Sequence, residues 1–241
     1  MLLAGWGSAE IVNRKDASAV NIVTDVDTKV ETFVSGKLKV LYPDIEFVGE
    51  EFGGNRTAKK LWLMDPIDGT GHYIRGLPFC TSMIALIEEG IVTFSAIYDF
   101  INDDMYWAEK GNGAYKNDIE LHVSKRSLAE SYIGVETNVK KEENAKVLNE
   151  LRNKSIVFQS ISSGWEHAMV ASGKLDARIM FDPYGQDYDF APGALLVQEA
   201  GGKVANVYSK NYDYRNTSVI VANSVIYEEL TSGPNALFPI K

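Results

Sequence analysis

An apolar run ends in a cluster of oxygen donors at Trp62-Leu-Met-Asp65-Pro66-Ile67-Asp68-Gly69-Thr70. Residues 61–64 read as a buried strand. Pro66 fixes its own φ and turns Asp65 away from the helical region, so the chain is expected to bend where the strand stops. Asp65 and Asp68 can then converge on one point, with the Ile67 carbonyl between them. Two carboxylates and a carbonyl are hard donors, a set that suits Mg²⁺, Mn²⁺ or Ca²⁺ rather than zinc. Gly69 and Thr70 can open a helix or turn with N–H groups pointing outward, a seat for a phosphate oxygen. The same residues would also make an Asp-Pro/Asp-Gly turn closing a strand at the surface. The stretch alone leaves both readings open.

Other acids share its context. Asp27, Glu50 with Glu51, and Asp189 each lie at the end of an expected strand or the start of an expected helix. Any one alone reads as a cap or a solvated acid. Packed together, carboxylates repel one another and resist desolvation, and divalent cations remove that penalty. If these acids converge, the site holds two or more Mg²⁺ ions with Asp65 as a bridge. Such a site activates a water and clamps both the attacking and the leaving oxygen of an in-line phosphoryl displacement. Thr70 would orient that water, with Asp27 accepting the hydroxyl proton. No Cys or His stands out as a nucleophile.

To meet, these acids need elements that end beside one another. Val30, Phe33, Val34, Leu38 and Leu41 keep near-helical spacing, which predicts an amphipathic helix with Asp27 at or near its N-cap, entered from 21–27 and stopped at Tyr42-Pro43-Asp44. Residues 1–14 read as the end of a helix. Residues 45–48 read as a short strand running into Glu50 and Glu51, and 52–60 as a polar loop. Residues 80–88 and 91–98 form a hairpin joined at Glu89-Gly90, with a third strand at 104–108 and a turn-rich stretch at 111–118 leading to 121–123. Further strands are expected at 131–135, 155–158, 177–181, 204–208 and 218–222. Helices are expected at 142–151, 164–171, 190–200 and 225–230, the third of them closed by Gly201-Gly202. The chain thus divides into an α+β half, 1–128, carrying most of the acids, and an α/β half, 129–241, carrying Asp189, joined as one compact unit.

Composition bounds the partners. A hydrophobic fraction of 45% and a charged fraction of 24% over 241 residues are those of a globular protein with a substantial core. A net charge of −9 argues against nucleic acid or an anionic membrane as the main partner. Cys80 is the single cysteine, so no intrachain disulfide forms, and a reducing cytoplasm is the expected compartment. No apolar run has the length of a membrane span, and the first residues make a poor signal peptide.

These pieces together resemble the inositol monophosphatase family of Mg²⁺-dependent, lithium-sensitive sugar-phosphate phosphatases. The matching segments are Asp25-Val-Asp27-Thr-Lys-Val-Glu31, Gly49-Glu50-Glu51, the Trp62 to Thr70 stretch, Gly76-Leu-Pro78, Gly111-Asn-Gly-Ala-Tyr115, and Asp189-Phe-Ala-Pro-Gly193 through Glu199-Ala-Gly-Gly202. They run in family order across nearly the whole chain. The resemblance implies an α/β (α+β) layered αβαβα sandwich and hydrolysis of a small polyol or sugar phosphate by water. It assigns Glu50, Asp65 and the Ile67 carbonyl to a first metal, and Asp65, Asp68 and Asp189 to a second. A third, weaker ion would sit near Glu50, with Mn²⁺ a substitute for Mg²⁺. It gives Gly69 and Thr70 to phosphate binding, Asp27 with Thr70 to activation of water and Glu51 to a supporting role. Lys15 lies near the family's site lysine, where a solvated surface lysine is the competing reading.

The sequence departs from the family at Gly71-His72-Tyr73, at Tyr188 and at Pro192, and its N-terminus is shorter than usual. Ser162 and Ser163 fall where the family contacts sugar hydroxyls, although a serine pair before Gly164 is equally a turn and helix cap. Asp182 falls near an acid that binds a substrate hydroxyl. Fructose 1,6-bisphosphate, histidinol phosphate and 3′-phosphoadenosine nucleotides are alternative substrates. A regulatory binding protein that keeps the fold is the reading from another class. The family commonly forms homodimers.

Overall fold

The computed structural model describes residues 1–15 and 22–240, so Asn21 and Lys241 of the segments read above lie outside the described residues. The chain opens with α1 (Leu2–Gly5) and β1 (Ile11–Arg14), which pairs antiparallel with β2 (Ile22–Thr24). The expected N-terminal helix is therefore a single short turn, and Ile11 and Val12 favour the extended form that follows.

Helix α2 (Asp25–Leu41) is capped by Thr24 rather than by Asp27. Thr24 Oγ1 accepts from the Asp27 N–H, and Asp27 Oδ2 accepts from the Thr24 N–H at 2.8 Å. This reciprocal capping box turns the Asp27 carboxylate back toward the start of the helix.

Strands β3 (Glu46–Gly49), β4 (Lys60–Asp68), β5 (Thr81–Glu88), β6 (Ile91–Asp99), β7 (Asp104–Glu109), β8 (Ala114–Lys116) and β9 (Ile119–Glu120) form one sheet in sequence order, with α3 (Thr70–Tyr73) following β4. Only β3 and β4 run parallel. Where the sequence suggests an end at residue 64, β4 runs on through the Asp-Pro-Ile-Asp stretch. Asp65 pairs with Met83 and Asp68 with Thr81, and an irregularity between them absorbs Pro66 and Ile67. Residues 121–123 stay out of the sheet, and β8 and β9 form instead inside and after the turn-rich stretch.

The second sheet holds β10 (Tyr132–Glu136), β11 (Ile156–Gln159), β12 (Ala177–Met180), β13 (Lys203–Asn206) and β14 (Val219–Ala222) in the order β11-β10-β12-β14-β13. It is accompanied by α4 (Glu142–Lys154), α5 (Ser163–Ala171), α6 (Asp187–Glu199) and α7 (Ser224–Thr231). Helix α6 begins before Asp189, with Gln186 as N-cap and Asp189 in the first turn, its Oδ2 accepting from the Gln186 N–H at 2.5 Å.

Helices α5 and α6 lie between the sheets, α6 against β5, β6 and β7 on one side and β13 and β14 on the other. Strand alternation sorts the core accordingly. Leu61, Leu63 and Met83 face α5 and α6, while Met64 and Ile67 face Val26 and Val30 of α2. On the second sheet, Val219 and Val221 face inward, and Ile133 and Ile179 pack against Leu148 and Leu151 of α4 and Ile226 and Leu230 of α7. The layer order is αβαβα. Among the described residues no helix is long and apolar enough to cross a membrane.

Candidate metal-dependent active site

Asp65 and Asp68 on β4 and Asp189 in the first turn of α6 each bring a carboxylate oxygen within 4.8 Å of the others. Glu50 is delivered beside them by β3. Gly49 pairs with Met64, and the Glu50 N–H donates to the Met64 carbonyl at 3.1 Å. Only glycine fits at position 49, because a Cβ there would lie 1.9 Å from Glu31 Oε1. The buried Glu31 in turn accepts from the Glu51 and Phe52 N–H groups, each at 2.9 Å, and pins the turn that carries Glu50.

Electrostatics make this cluster unstable as it stands. Burial, followed by the charges of Glu50, Asp68 and Asp189, holds the Asp65 carboxyl well above the usual carboxylate range. Asp189 is pushed up to about 7 by burial and then by Asp68. Asp65 Oδ1 is buried without a hydrogen-bond partner among the described residues. An orphaned carboxylate oxygen facing two further carboxylates lacks a counter-charge, and hard oxygen donors at this spacing fit a divalent cation.

Asp68 is fixed from behind. The Gly164 N–H donates to its Oδ2 at 2.8 Å, the Ser163 N–H donates to Oδ1 at 3.2 Å, and the Ser162 hydroxyl also donates to Oδ2. These bonds oppose the effect of burial on Asp68, whose carboxyl still lies above its ordinary value. Thr70 Oγ1 lies 3.4 Å from Asp27 Oδ1 and donates to the Ile67 carbonyl at 2.8 Å. Burial raises Asp27 to about 6. Gly69 has φ +81°, and a Cβ there would lie 2.5 Å from the Phe79 carbonyl, so the turn into α3 requires glycine. A cavity of about 1120 Å³ opens over these groups.

The model of the inositol monophosphatase family matches residues 1–235. The chain belongs to that family. The inositol monophosphatase family comprises metal-dependent phosphatases of phosphate monoesters, and this member is a phosphatase acting on sugar phosphates. A fructose-1,6-bisphosphatase/inositol-1-monophosphatase of Thermotoga maritima is 26% identical over 98% of this chain and 90% of its own length. A Nus factor SuhB of Pseudomonas aeruginosa is 31% identical over 91% of this chain and 84% of its own. The solved structure of a Thermotoga maritima IMPase superposes with a TM-score of 0.84 at 26% identity, covering 95% of this chain and 88% of that one.

Within this family member, every residue given a metal, phosphate, catalytic or substrate role from the sequence lines the cavity except Asp27, Glu51 and Asp182. Asp27 stands behind Thr70. Glu51 is tied to Lys15, whose Nζ lies 2.9 Å from Glu51 Oε1 and 2.5 Å from Glu50 Oε1. Lys15 thus stands on the cavity wall as an ion-pair partner of two acids rather than as a solvated surface lysine. Burial opposes its charge, yet Glu50 and Glu51 keep it protonated above its usual range. Asp182 departs from expectation altogether. It accepts from Lys141 Nζ at 2.7 Å and from Asn144 Nδ2 at 3.1 Å, which turns it toward α4 and off the cavity wall. Ser162 and Ser163 do reach the wall, but their hydroxyls are spent on Asp68 and on the Asp189 carbonyl. Both hydroxyls thus help to place the acids Asp68 and Asp189.

Sequence reasoning missed a second set of charges. Arg56, in the 52–60 loop, pairs with Asp187 and lies 5.8 Å from the Tyr188 ring centroid. Arg178 and Glu166 form a buried pair at 3.0 Å. An arginine at an alternating position of an apolar strand is the one sign of it, since such a residue requires a partner inside.

Proposed function

We propose that this phosphatase hydrolyses the monophosphate of a small sugar or polyol with Mg²⁺ held by Glu50, Asp65, the Ile67 carbonyl, Asp68 and Asp189. The convergence of Asp65, Asp68 and Asp189 within 4.8 Å, with one oxygen unpartnered among the described residues, is the observation that carries this reading. Mn²⁺ offers the same preference for oxygen donors and is the natural substitute. Divalent ions at such a site neutralise phosphoryl charge and make water a nucleophile near neutral pH.

The chain's own residues supply placement. Asp27, raised to about 6, is poised to accept a proton from the Thr70 hydroxyl near neutrality, and Thr70 passes that demand to the water it orients. The N–H groups of Gly69 and Thr70 lead α3 and have no acceptor inside so short a helix, so they are free to bind phosphate oxygens. Glu51 holds Lys15, and Lys15 holds Glu50 in place. Sensitivity to Li⁺ belongs to the same reading, as does a homodimer covering the exposed Ile11, Val12 and Phe33. The lone buried Cys80 suits a reducing cytoplasm.

The test is phosphate release from a panel of sugar, polyol, bisphosphate and nucleotide esters, with Mg²⁺ and with EDTA. Mg²⁺-dependent release from a polyol or sugar monophosphate is the expected result, and equal rates in EDTA would end the metal assignment. The name of the Pseudomonas relative keeps a regulatory role in view. An intact acid set argues that turnover is retained here.

A further inference from the structure

Glu50 and Asp189 reach the acid cluster on separate stretches of chain, and one ion pair ties those stretches together. Arg56 follows Glu50 in the loop between β3 and β4, and Asp187 precedes Asp189 in the first turn of α6. The Arg56 guanidinium donates to both carboxylate oxygens of Asp187, 131 positions away along the chain, each time through Nη1. The loop that carries Arg56 is firmly built. Gly49 and Gly53 exchange backbone hydrogen bonds at 3.0 and 3.1 Å, which closes the turn holding Glu50 and Glu51. Gly54 then passes so close to β3 that a Cβ would lie 2.3 Å from the Phe47 carbonyl oxygen. Asn55 Oδ1 accepts from the Thr57 N–H at 3.1 Å and from the Thr57 hydroxyl at 2.7 Å, a side-chain turn around Arg56. A shift of Arg56 is therefore passed on to Glu50.

The helix side is equally tight. A Cβ on Gly185 would lie 2.6 Å from Asp189 Oδ2, which accepts from the Gln186 N–H, and the Ser163 hydroxyl donates to the Asp189 carbonyl. Residues 185–189 are thus folded about the Asp189 carboxylate, so moving Asp187 moves that carboxylate. Tyr188 lies between the ion pair and the acids. Its ring centroid is 5.8 Å from the Arg56 guanidinium. Burial, followed by the charges of Glu50, Asp189 and Asp65, holds its phenol above the usual range, with Arg56 opposing them.

We propose that Arg56 and Asp187 are positioning residues, a clasp that sets the separation of Glu50 from Asp189 and so holds both acids ready for divalent cations. The proposal rests on the metal reading of the acid cluster and adds what keeps its two ends in register. Arg56 is 43% exposed and Asp187 13%, and an ion pair so close to solvent contributes little to stability by itself. Its contribution is therefore read in cation affinity rather than in folding. Charge alone predicts opposite signs for the two partners. Removing the Arg56 cation would draw a metal ion in, and removing the Asp187 anion would weaken its hold. A clasp predicts that losing either partner weakens binding. Arg56 also lines the cavity, so direct contact with the substrate is the competing outcome.

The test is calorimetric titration with Mn²⁺ of the metal-free wild type, Arg56→Met, Arg56→Lys, Asp187→Asn and the double variant Arg56→Met/Asp187→Asn. Arg56→Met and Asp187→Asn are each expected to bind Mn²⁺ about tenfold more weakly, as loss of a partner behind a metal ligand does. The double variant should bind about as weakly as either single one, because both substitutions remove the same link. Arg56→Lys should keep most of the affinity, since a single nitrogen makes both contacts. Metal-free melting temperatures should stay close to that of the wild type. Tighter binding by Arg56→Met with weaker binding by Asp187→Asn would reduce the pair to a field effect and overturn the clasp. Unchanged affinity in both single variants would overturn it too, and a raised KM for p-nitrophenyl phosphate in Arg56→Met would then make Arg56 a substrate contact. No Mn²⁺ binding by the wild type would overturn the metal reading and the clasp with it.

Discussion

The backbone N–H of Gly164 donates to Oδ2 of Asp68 at 2.8 Å, so the first turn of α5 holds a carboxylate that β4 supplies. With Ser162 and Ser163 donating as well, Asp68 is oriented before any cation binds. Removing one of these donors should loosen the ligand without deleting it. Ser162→Ala is expected to weaken Mg²⁺ dependence or activity by about 10- to 100-fold, the usual cost of losing a partner behind a metal ligand. A titration of phosphate release against Mg²⁺ reads this directly. Asp68→Asn removes the ligand's charge and should cost several powers of ten in kcat with an unchanged circular dichroism spectrum.

Gly164 is also a packing requirement. A Cβ there would lie 2.3 Å from both Met83 Sδ and Thr81 Oγ1. Gly164→Ala therefore forces α5 off β5, at a cost of about 1–3 kcal/mol typical of overpacking. The melting temperature should fall by roughly 2–4 °C for each of those kcal/mol in a domain of this size.

Metal-free protein should respond to pH in a direction set by the raised carboxyls. Burial lifts Asp27 to about 6 and Glu51 to about 7, and burial with Asp68 lifts Asp189 to about 7. A carboxyl raised above its unfolded value stabilises the fold when protonated. That contribution is complete below about pH 4 and is lost as pH climbs through 6 and 7. In EDTA the melting temperature should fall from pH 5 to pH 8, and added Mg²⁺ should restore more at pH 8 than at pH 5. A metal-free melting temperature that rises across this interval would contradict the charge assignment.

Lys15 tests the neighbouring pair. Its ammonium lies within 2.9 Å of both Glu50 and Glu51, so it already supplies part of the counter-charge. Lys15→Met leaves two acids facing each other. The metal-free variant should melt below wild type, and its gain in melting temperature on adding Mg²⁺ should exceed that of wild type. Equal gains would show that Lys15 is a bystander.

How much of this was legible in the sequence depended on how local the signal was. The hairpin of β5 and β6 was plain, because Glu89 and Gly90 take positive φ of 48° and 80°, as a tight two-residue turn requires. Asp65 and Asp68 were legible from their spacing, but the continuation of β4 through them was not, since it depends on pairing with β5. Asp27 lies near the N-cap as its spacing implies, but which of Thr24 and Asp27 takes the cap itself is decided only by the reciprocal bonds between them. Asp182 was misplaced because the stretch between β12 and α6 sends it to Lys141 and Asn144, partners no motif encodes. Arg178 and Glu166 left almost no trace. Their meaning lies in burial, and burial is a property of the assembled layers.

Calorimetric titration of the metal-free protein with Mn²⁺, repeated on Asp65→Asn, tests the central claim most directly. The account predicts that the wild type binds the cation, and that Asp65→Asn binds at least about 100-fold more weakly, since a shared ligand is lost while the fold is kept. Equal binding by the two proteins, or none by the wild type, would contradict it.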